Sequence, residues 1–272
     1  MATNNNRRRK PLENFDDKFE HQQLKKRFFY DSSKKDTEHE VIRKDAKQAQ
    51  FQPREIEKEV FELLKSSEPE AVERGLIKLC AFMSDAKEGE TRTHEAYGFA
   101  SPITIGTAMR SFQWHEGAQE QGCRCLEILS ASDSNSKCVL TSFVMEAVVS
   151  AIQSFPESRS LLHCGLKTII NLSKDPTKDE VVCDYCSSFV NKWNGIQLTL
   201  SAMERFSNDV HMLQSCCSVL WNVALVEKFH EPLYDAGALE ALCRVFQKHY
   251  SSNDDLKRIA RDGMNALFDD SS

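Results

Sequence analysis

From about residue 54 to the end of the chain, apolar residues recur at three- and four-residue steps. The stretches are 55–65, 70–83, 101–112, 116–130, 138–155, 158–173, 179–190, 195–206, 209–226, 237–249 and 254–268. That spacing gathers them on one face of a helix, because 3.6 residues complete a turn. In 209–226, Val210, Leu213, Cys217, Leu220 and Ala224 form such a stripe, which predicts an amphipathic helix with that face buried. Helix punctuation falls between the stretches: Pro69 and Pro156 near helix starts, then Asp133 to Ser136, Asp175-Pro176, Ser207-Asn208-Asp209 and Ser251 to Asp254. No stretch sustains the period-two alternation of a strand, so the pattern predicts an all-α body over 54–272.

The helices repeat. Four helix ends share a block: Ala108 to Phe112, Ala151 to Phe155, Ala202 to Phe206, and Val245 to His249. Nineteen residues after Met109, Ile152, Met203 and Phe246 come Ile128, Asn171, Asn222 and Asn265, each near the end of the following helix. Successive copies are spaced by 43, 51 and 43 residues, so the second pair is followed by an insertion of eight within 174–191. A constant two-helix unit with a variable connector predicts an α-solenoid. Gly75, Gly122, Gly165 and Cys216 occupy one small-residue position where two helices approach closely, and helix 70–83 reads as a fifth copy. Its partner, 55–65, is in poorer register, as expected of a capping unit. The insertion, with Asp179, Glu180, Asp184 and Tyr185, reads as a longer first helix projecting at a repeat boundary.

Composition adds an arm. Residues 1–50 hold few apolar and many charged side chains, too little to offset chain entropy, which predicts a disordered N-terminal arm. Phe15, Phe19, Leu24, Phe28 and Phe29, set among Lys25, Lys26 and Arg27, predict one short amphipathic helix within it. The net charge of −6 is unevenly spread: residues 1–60 carry 15 Lys/Arg against 12 Asp/Glu, so a mildly basic arm precedes an acidic body. Arg7, Arg8, Arg9 and Lys10, followed by Pro11, form a candidate nuclear localisation signal. The first residues lack the apolar core of a secretory signal, and no stretch has the roughly 18 apolar residues needed to span a bilayer. A cytoplasmic location, with access to the nucleus, is expected. The ten cysteines then read as reduced core filler, with Cys123, Cys125, Cys164, Cys216, Cys217 and Cys243 on the repeated stripe.

The strings from Asn194 to Leu225, Asp235 to Leu267 and Glu116 to Ser130 resemble the armadillo repeat, a short helix followed by two longer antiparallel helices. They look closest to arrays of protists and algae and to the armadillo region of leucine-rich-repeat kinases. The resemblance covers about 55–268 and implies a right-handed α-solenoid of about four to five repeats. It also implies a role in protein interaction, with the third helix of each unit lining a concave groove and an asparagine near its end contacting an extended ligand. The matching positions here are Asn171, Asn222 and Asn265, preceded by Ala81 and Ile128. One turn earlier on the same face come Ile77, Arg124, Lys167, Ser218 and Arg261. Import adaptors of the importin α kind carry tryptophans there to seat lysines. Lys167, Ser218 and Arg261 stand there instead and would repel such cargo; Arg124, Lys167 and Arg261 would suit an acidic peptide better. Trp221, beside Asn222, is a candidate apolar anchor, or else a ridge residue between repeats; Trp114 and Trp193 read as packing caps. Because the asparagines are read as ligand contacts, replacing all three is expected to weaken binding with little effect on melting.

Enzymatic alternatives find little support. Neither a GxGxxG nor a GxxxxGK[ST] loop occurs, the histidines are scattered, and no cofactor is expected. Cys183 and Cys186 have zinc-ligand spacing but no second pair, and on a helix that spacing equally serves packing. Asp254-Asp255 and Asp269-Asp270 read as helix-end charges. The acidic body disfavours nucleic acid. The sequence therefore predicts a non-enzymatic interaction module or scaffold binding a peptide or partner protein along a groove, with a nuclear transport or cargo adaptor as the alternative.

Overall fold

A computed structural model of the chain describes residues 55–84, 89–131, 139, 142–249 and 252–268. The expectations for the arm, including Arg7 to Lys10 and the stretch from Phe15 to Phe29, lie outside these residues. The described residues fall in one compact unit, Pro53–Ser272. They form α1 (Glu55–Leu64), α2 (Pro69–Met83), α3 (Gly89–Phe99), α4 (Pro102–Ser111), α5 (Glu116–Ser130), α6 (Ser142–Ser154) and α7 (Arg159–Leu172). After these come α8 (Glu180–Asn191), α9 (Gly195–Arg205), α10 (Val210–Ala224), a 3-10 turn (Glu227–Phe229), α11 (His230–Asp235), α12 (Ala238–Lys248) and α13 (Asp254–Phe268). No strand occurs among the described residues.

Local chemistry sets the helix starts. Proline stands at the first position of α2 and α4, where its missing N–H costs nothing. Ser101 Oγ accepts from Thr104 N at 3.3 Å, Asp179 Oδ1 from Val181 N at 3.1 Å, Asp209 Oδ1 from Met212 N at 3.1 Å, and Asn253 Oδ1 from Leu256 N at 2.8 Å. His115 plays the same part for α5, its Nδ1 accepting from Ala118 N at 3.2 Å.

Five two-helix units follow: α1 packs on α2, α4 on α5, α6 on α7, α9 on α10, and α12 on α13. The second members form a continuous ladder, α2 against α5, α5 against α7, α7 against α10, and α10 against α13. Leu79, Leu126, Ile169 and Leu220 recur at one position of this ladder and are all buried, each contributing roughly 1.5–3 kcal/mol by leaving water. The chain is thus an all-α solenoid.

The small-residue position works as its register implies. A Cβ on Gly122 would lie 2.5 Å from Met109 Cγ, and one on Gly165 2.7 Å from Ile152 Cδ1, each facing the residue thirteen earlier. In the first unit a Cβ on Gly75 would meet Leu63 Cβ at 2.8 Å, the residue twelve earlier, so the poorer register of that unit is a slip of one. Cys123, Cys125, Cys164, Cys216 and Cys217 are buried and Cys243 partly so. Burial pushes the Cys217 thiol up to about 12, out of reach of ordinary thiolate chemistry.

Three features depart from the pattern. α3 buries Thr93 and Ala96, residues too small or polar to mark an apolar stripe. α11, at six residues, is shorter than two turns and leaves no period to read. The insertion does form a first helix, α8, but it does not project: Tyr185, Cys186 and Phe189 are buried, and the Tyr185 ring lies 6.5 Å from that of Phe189 and 6.2 Å from that of Trp193.

Candidate functional site

The asparagine column lies on the ladder helices, and two of its members join successive helices. Asn171 Nδ2 donates to Glu127 O at 3.3 Å and to Ser130 Oγ at 3.1 Å, from α7 to the last turn of α5. Asn222 Nδ2 does the same one unit on, to Ile170 O at 3.2 Å and Ser173 Oγ at 2.9 Å. Both serines are buried and donate back to a carbonyl of their own turn, Ser130 to Glu127 O and Ser173 to Ile170 O. The third step lacks the hydroxyl, since Ala224 stands where Ser130 and Ser173 do. Asn265 is accordingly exposed, with no such bond among the described residues. The amide N–H groups are therefore spent within the array, and the expectation that the column is dispensable for stability does not hold for Asn171 and Asn222. Their Oδ1 acceptors have no partner among the described residues and remain able to accept from a ligand N–H. Ser130 and Ser173 carry no apolar periodicity and are marked in the sequence only by standing two residues after Ile128 and Asn171, a spacing that Ala224 and Leu267 break in the next two copies.

The second column divides. Ile77 is exposed. Arg124 Nη2 donates to Glu120 Oε1 at 3.1 Å and to Ser160 Oγ at 3.0 Å, while Ser160 Oγ donates to the same carboxylate at 2.7 Å. That triad ties α5 to α7 and largely neutralises Arg124. Lys167 is half-buried and makes no ion pair among the described residues. Its charge helps hold the half-buried His163 below the usual histidine range, after burial itself and ahead of Arg159 and His211. Burial raises the Glu127 carboxyl, opposed by the Cys164 thiol, Lys167 and Arg124. Ser218 donates back to Gln214 O at 2.8 Å, and Arg261 is exposed with Asp262 Oδ1 at 3.7 Å. Trp221 is partly buried, its Cβ 3.6 Å from where a Cβ on Gly263 would stand, so it borders α13 while keeping some surface.

The other tryptophans part company. Trp193 is buried, as a packing cap should be; Trp114 is 69% exposed and caps nothing. Cys183 and Cys186 lie on α8, and no group of three or more metal-ligating side chains occurs among the described residues. No helix among them is long and apolar enough to cross a membrane.

The stacked units and their side-by-side ladder define a helical-repeat protein of the armadillo class. A family model described as LRRK2 ARM repeat matches residues 103–270, more than half the chain, and the chain belongs to that family. Among solved structures, an engineered protein determined by the Northeast Structural Genomics Consortium is similar at a TM-score of 0.60 and 14% identity, over 78% of this chain and 47% of that one. This chain thus spans about half the length of that structure, and at such identity the likeness concerns fold alone. No curated protein matches. ARM repeats generally mediate protein interactions and are typically non-enzymatic scaffolds, which is the level at which the family speaks for this chain.

Proposed function

We propose that this protein is a non-catalytic interaction scaffold that binds an extended, acidic segment of a partner protein along its ladder helices. The observation that carries the reading is the pair of half-exposed asparagines, Asn171 and Asn222, whose amide N–H groups are fixed across the ladder while each Oδ1 has no partner among the described residues. Fixed acceptors one repeat apart suit an extended backbone, whose own N–H groups have no partners. Lys167, half-buried and without an ion pair among the described residues, and exposed Arg261 favour acidic side chains. Arg124, already held by Glu120, contributes less, and the partly buried Trp221 offers an apolar contact between the asparagine pair and α13. A labelled twelve-residue peptide alternating Asp and Leu is expected to bind the full chain, and Lys167→Glu with Trp221→Ala to weaken it at least tenfold by fluorescence anisotropy. Unchanged affinity in that double variant removes this site.

The cytoplasm is the proposed location, and the transport alternative rests on Arg7 to Lys10 followed by Pro11. Replacing those four residues by alanine is expected to lower the nuclear share of a fluorescent fusion. An unchanged distribution removes the transport reading and leaves the scaffold.

A further inference from the structure

The turns between the paired helices of each unit form an edge of the solenoid, and along that edge one repeat is tied to the next by a recurring pair. Glu157, in the α6–α7 turn, bonds Arg205 at the end of α9, with Arg205 Nε 2.8 Å from Glu157 Oε1. Asn208, in the α9–α10 turn, accepts from Lys248 Nζ at the end of α12 at 2.8 Å, and Lys248 also bonds Ser207 O at 2.8 Å. In both, the turn residue lies five after the reference residue of its block (Ile152, Met203), and the basic residue lies two after the next reference (Met203, Phe246). The same arithmetic one step earlier gives Trp114 in the α4–α5 turn and Ser154 at the end of α6. There the acceptor has become an indole and the cation is missing, and Trp114 is left as the most exposed of the large apolar side chains among the described residues.

The turn that carries this indole is held firmly. Gln119, itself buried, donates through Nε2 to Met109 O at 2.8 Å and Phe112 O at 2.9 Å, closing α4 behind it. Phe112 and His115 pack edge-on against the indole, at 6.4 and 5.7 Å between ring centroids. Arg110, on the preceding helix, is occupied over the Phe143 ring at 4.7 Å. Carboxylates flank the edge: Glu116 is next but one to Trp114 and exposed, and Glu73 lies against the start of α5, its Oε2 3.9 Å from His115 Nδ1. An exposed indole face beside carboxylates attracts a cation, through the ring quadrupole and by charge. In the later repeats that cation is supplied by the neighbouring unit.

We propose that the α4–α5 edge, centred on Trp114, is a docking surface for a Lys/Arg-bearing segment of a partner protein, the partner's cation taking the place that Arg205 and Lys248 fill further along. The surface is distinct from the ladder face and of opposite charge preference, so each stands or falls separately. A largely exposed tryptophan, braced by Phe112 and His115 and flanked by carboxylates, is the kind of anchor on which interfaces concentrate their energy.

The test uses the full chain and a fluorescein-labelled octapeptide with four arginines spaced by leucine, against the same peptide with glutamate for arginine, read by anisotropy. The arginine peptide is expected to bind and to weaken as salt is raised. Trp114→Ala is expected to lower its affinity at least tenfold, and Trp114→Phe to keep most of it. Trp114→Glu with Ser154→Arg, which completes the edge pair within the chain, is expected to abolish binding without lowering the melting temperature. Equal binding of the glutamate peptide, or undiminished binding of the arginine peptide by the closed-edge variant, overturns the proposal.

Discussion

Replacing Gly195 with alanine is expected to destabilise the array by about 1–3 kcal/mol, the usual cost of forcing an extra carbon into a packed site. Gly195 opens α9, directly after Asn194, whose left-handed backbone (φ 53°) turns the chain out of α8. A Cβ there would lie 2.4 Å from Cε2 and Cζ of Phe189. That ring is nearly wholly buried beside Tyr185, which in turn packs on Trp193, so moving it aside means displacing packed neighbours. Gly98 makes the internal control. It lies near the end of α3 with nothing within 4 Å of an added Cβ, so alanine there is expected to stabilise by about 0.5–1 kcal/mol through helix propensity. Urea unfolding of both variants checks the pair. A neutral or stabilising Gly195→Ala would mean that α8 and α9 are not packed as described.

Asn222→Ala is expected to cost about 1–3 kcal/mol, since it removes two hydrogen bonds and strips the buried Ser173 hydroxyl of its donor. Asn265→Ala, at the same register but exposed and facing Ala224, is expected to stay within about 0.5 kcal/mol of wild type. A double-mutant cycle between Asn222 and Ser173 isolates the pairwise contribution, and a coupling of about 0.5–1.5 kcal/mol is expected. Equal costs at Asn222 and Asn265 would assign the loss to the helix alone and exclude the cross-repeat bond as its source.

The contrast between these two asparagines shows what sequence can and cannot reveal. The nineteen-residue offset placed Asn171, Asn222 and Asn265 in one column, and the ladder helices carry them at matching positions. What the offset could not reveal is that two of them are spent on the preceding helix, because that depends on a hydroxyl one repeat away in space and more than forty residues away in sequence. Most of the fold was legible because apolar stripes on paired helices repeat. α3 was hidden because alanine and threonine do its packing, and α11 because six residues hold no period. Arg124, Lys167 and Arg261 are equivalent cations in the sequence; in the structure Glu120 and Ser160 take up the first, while Lys167 makes no ion pair among the described residues. Trp114 was misread because a large apolar residue in a turn ordinarily buries itself, and here the basic residue that would have faced it is Ser154.

Side-chain amide NMR signals followed during titration with the acidic peptide decide whether the ladder helices form the surface on which a partner segment lies. The Asn171 and Asn222 side-chain signals are expected to move together, with backbone signals of Lys167 and Trp221, while those of α4, α6, α9 and α12 stay in place. Shifts confined to those four helices, with the two asparagines unmoved, would contradict that placement.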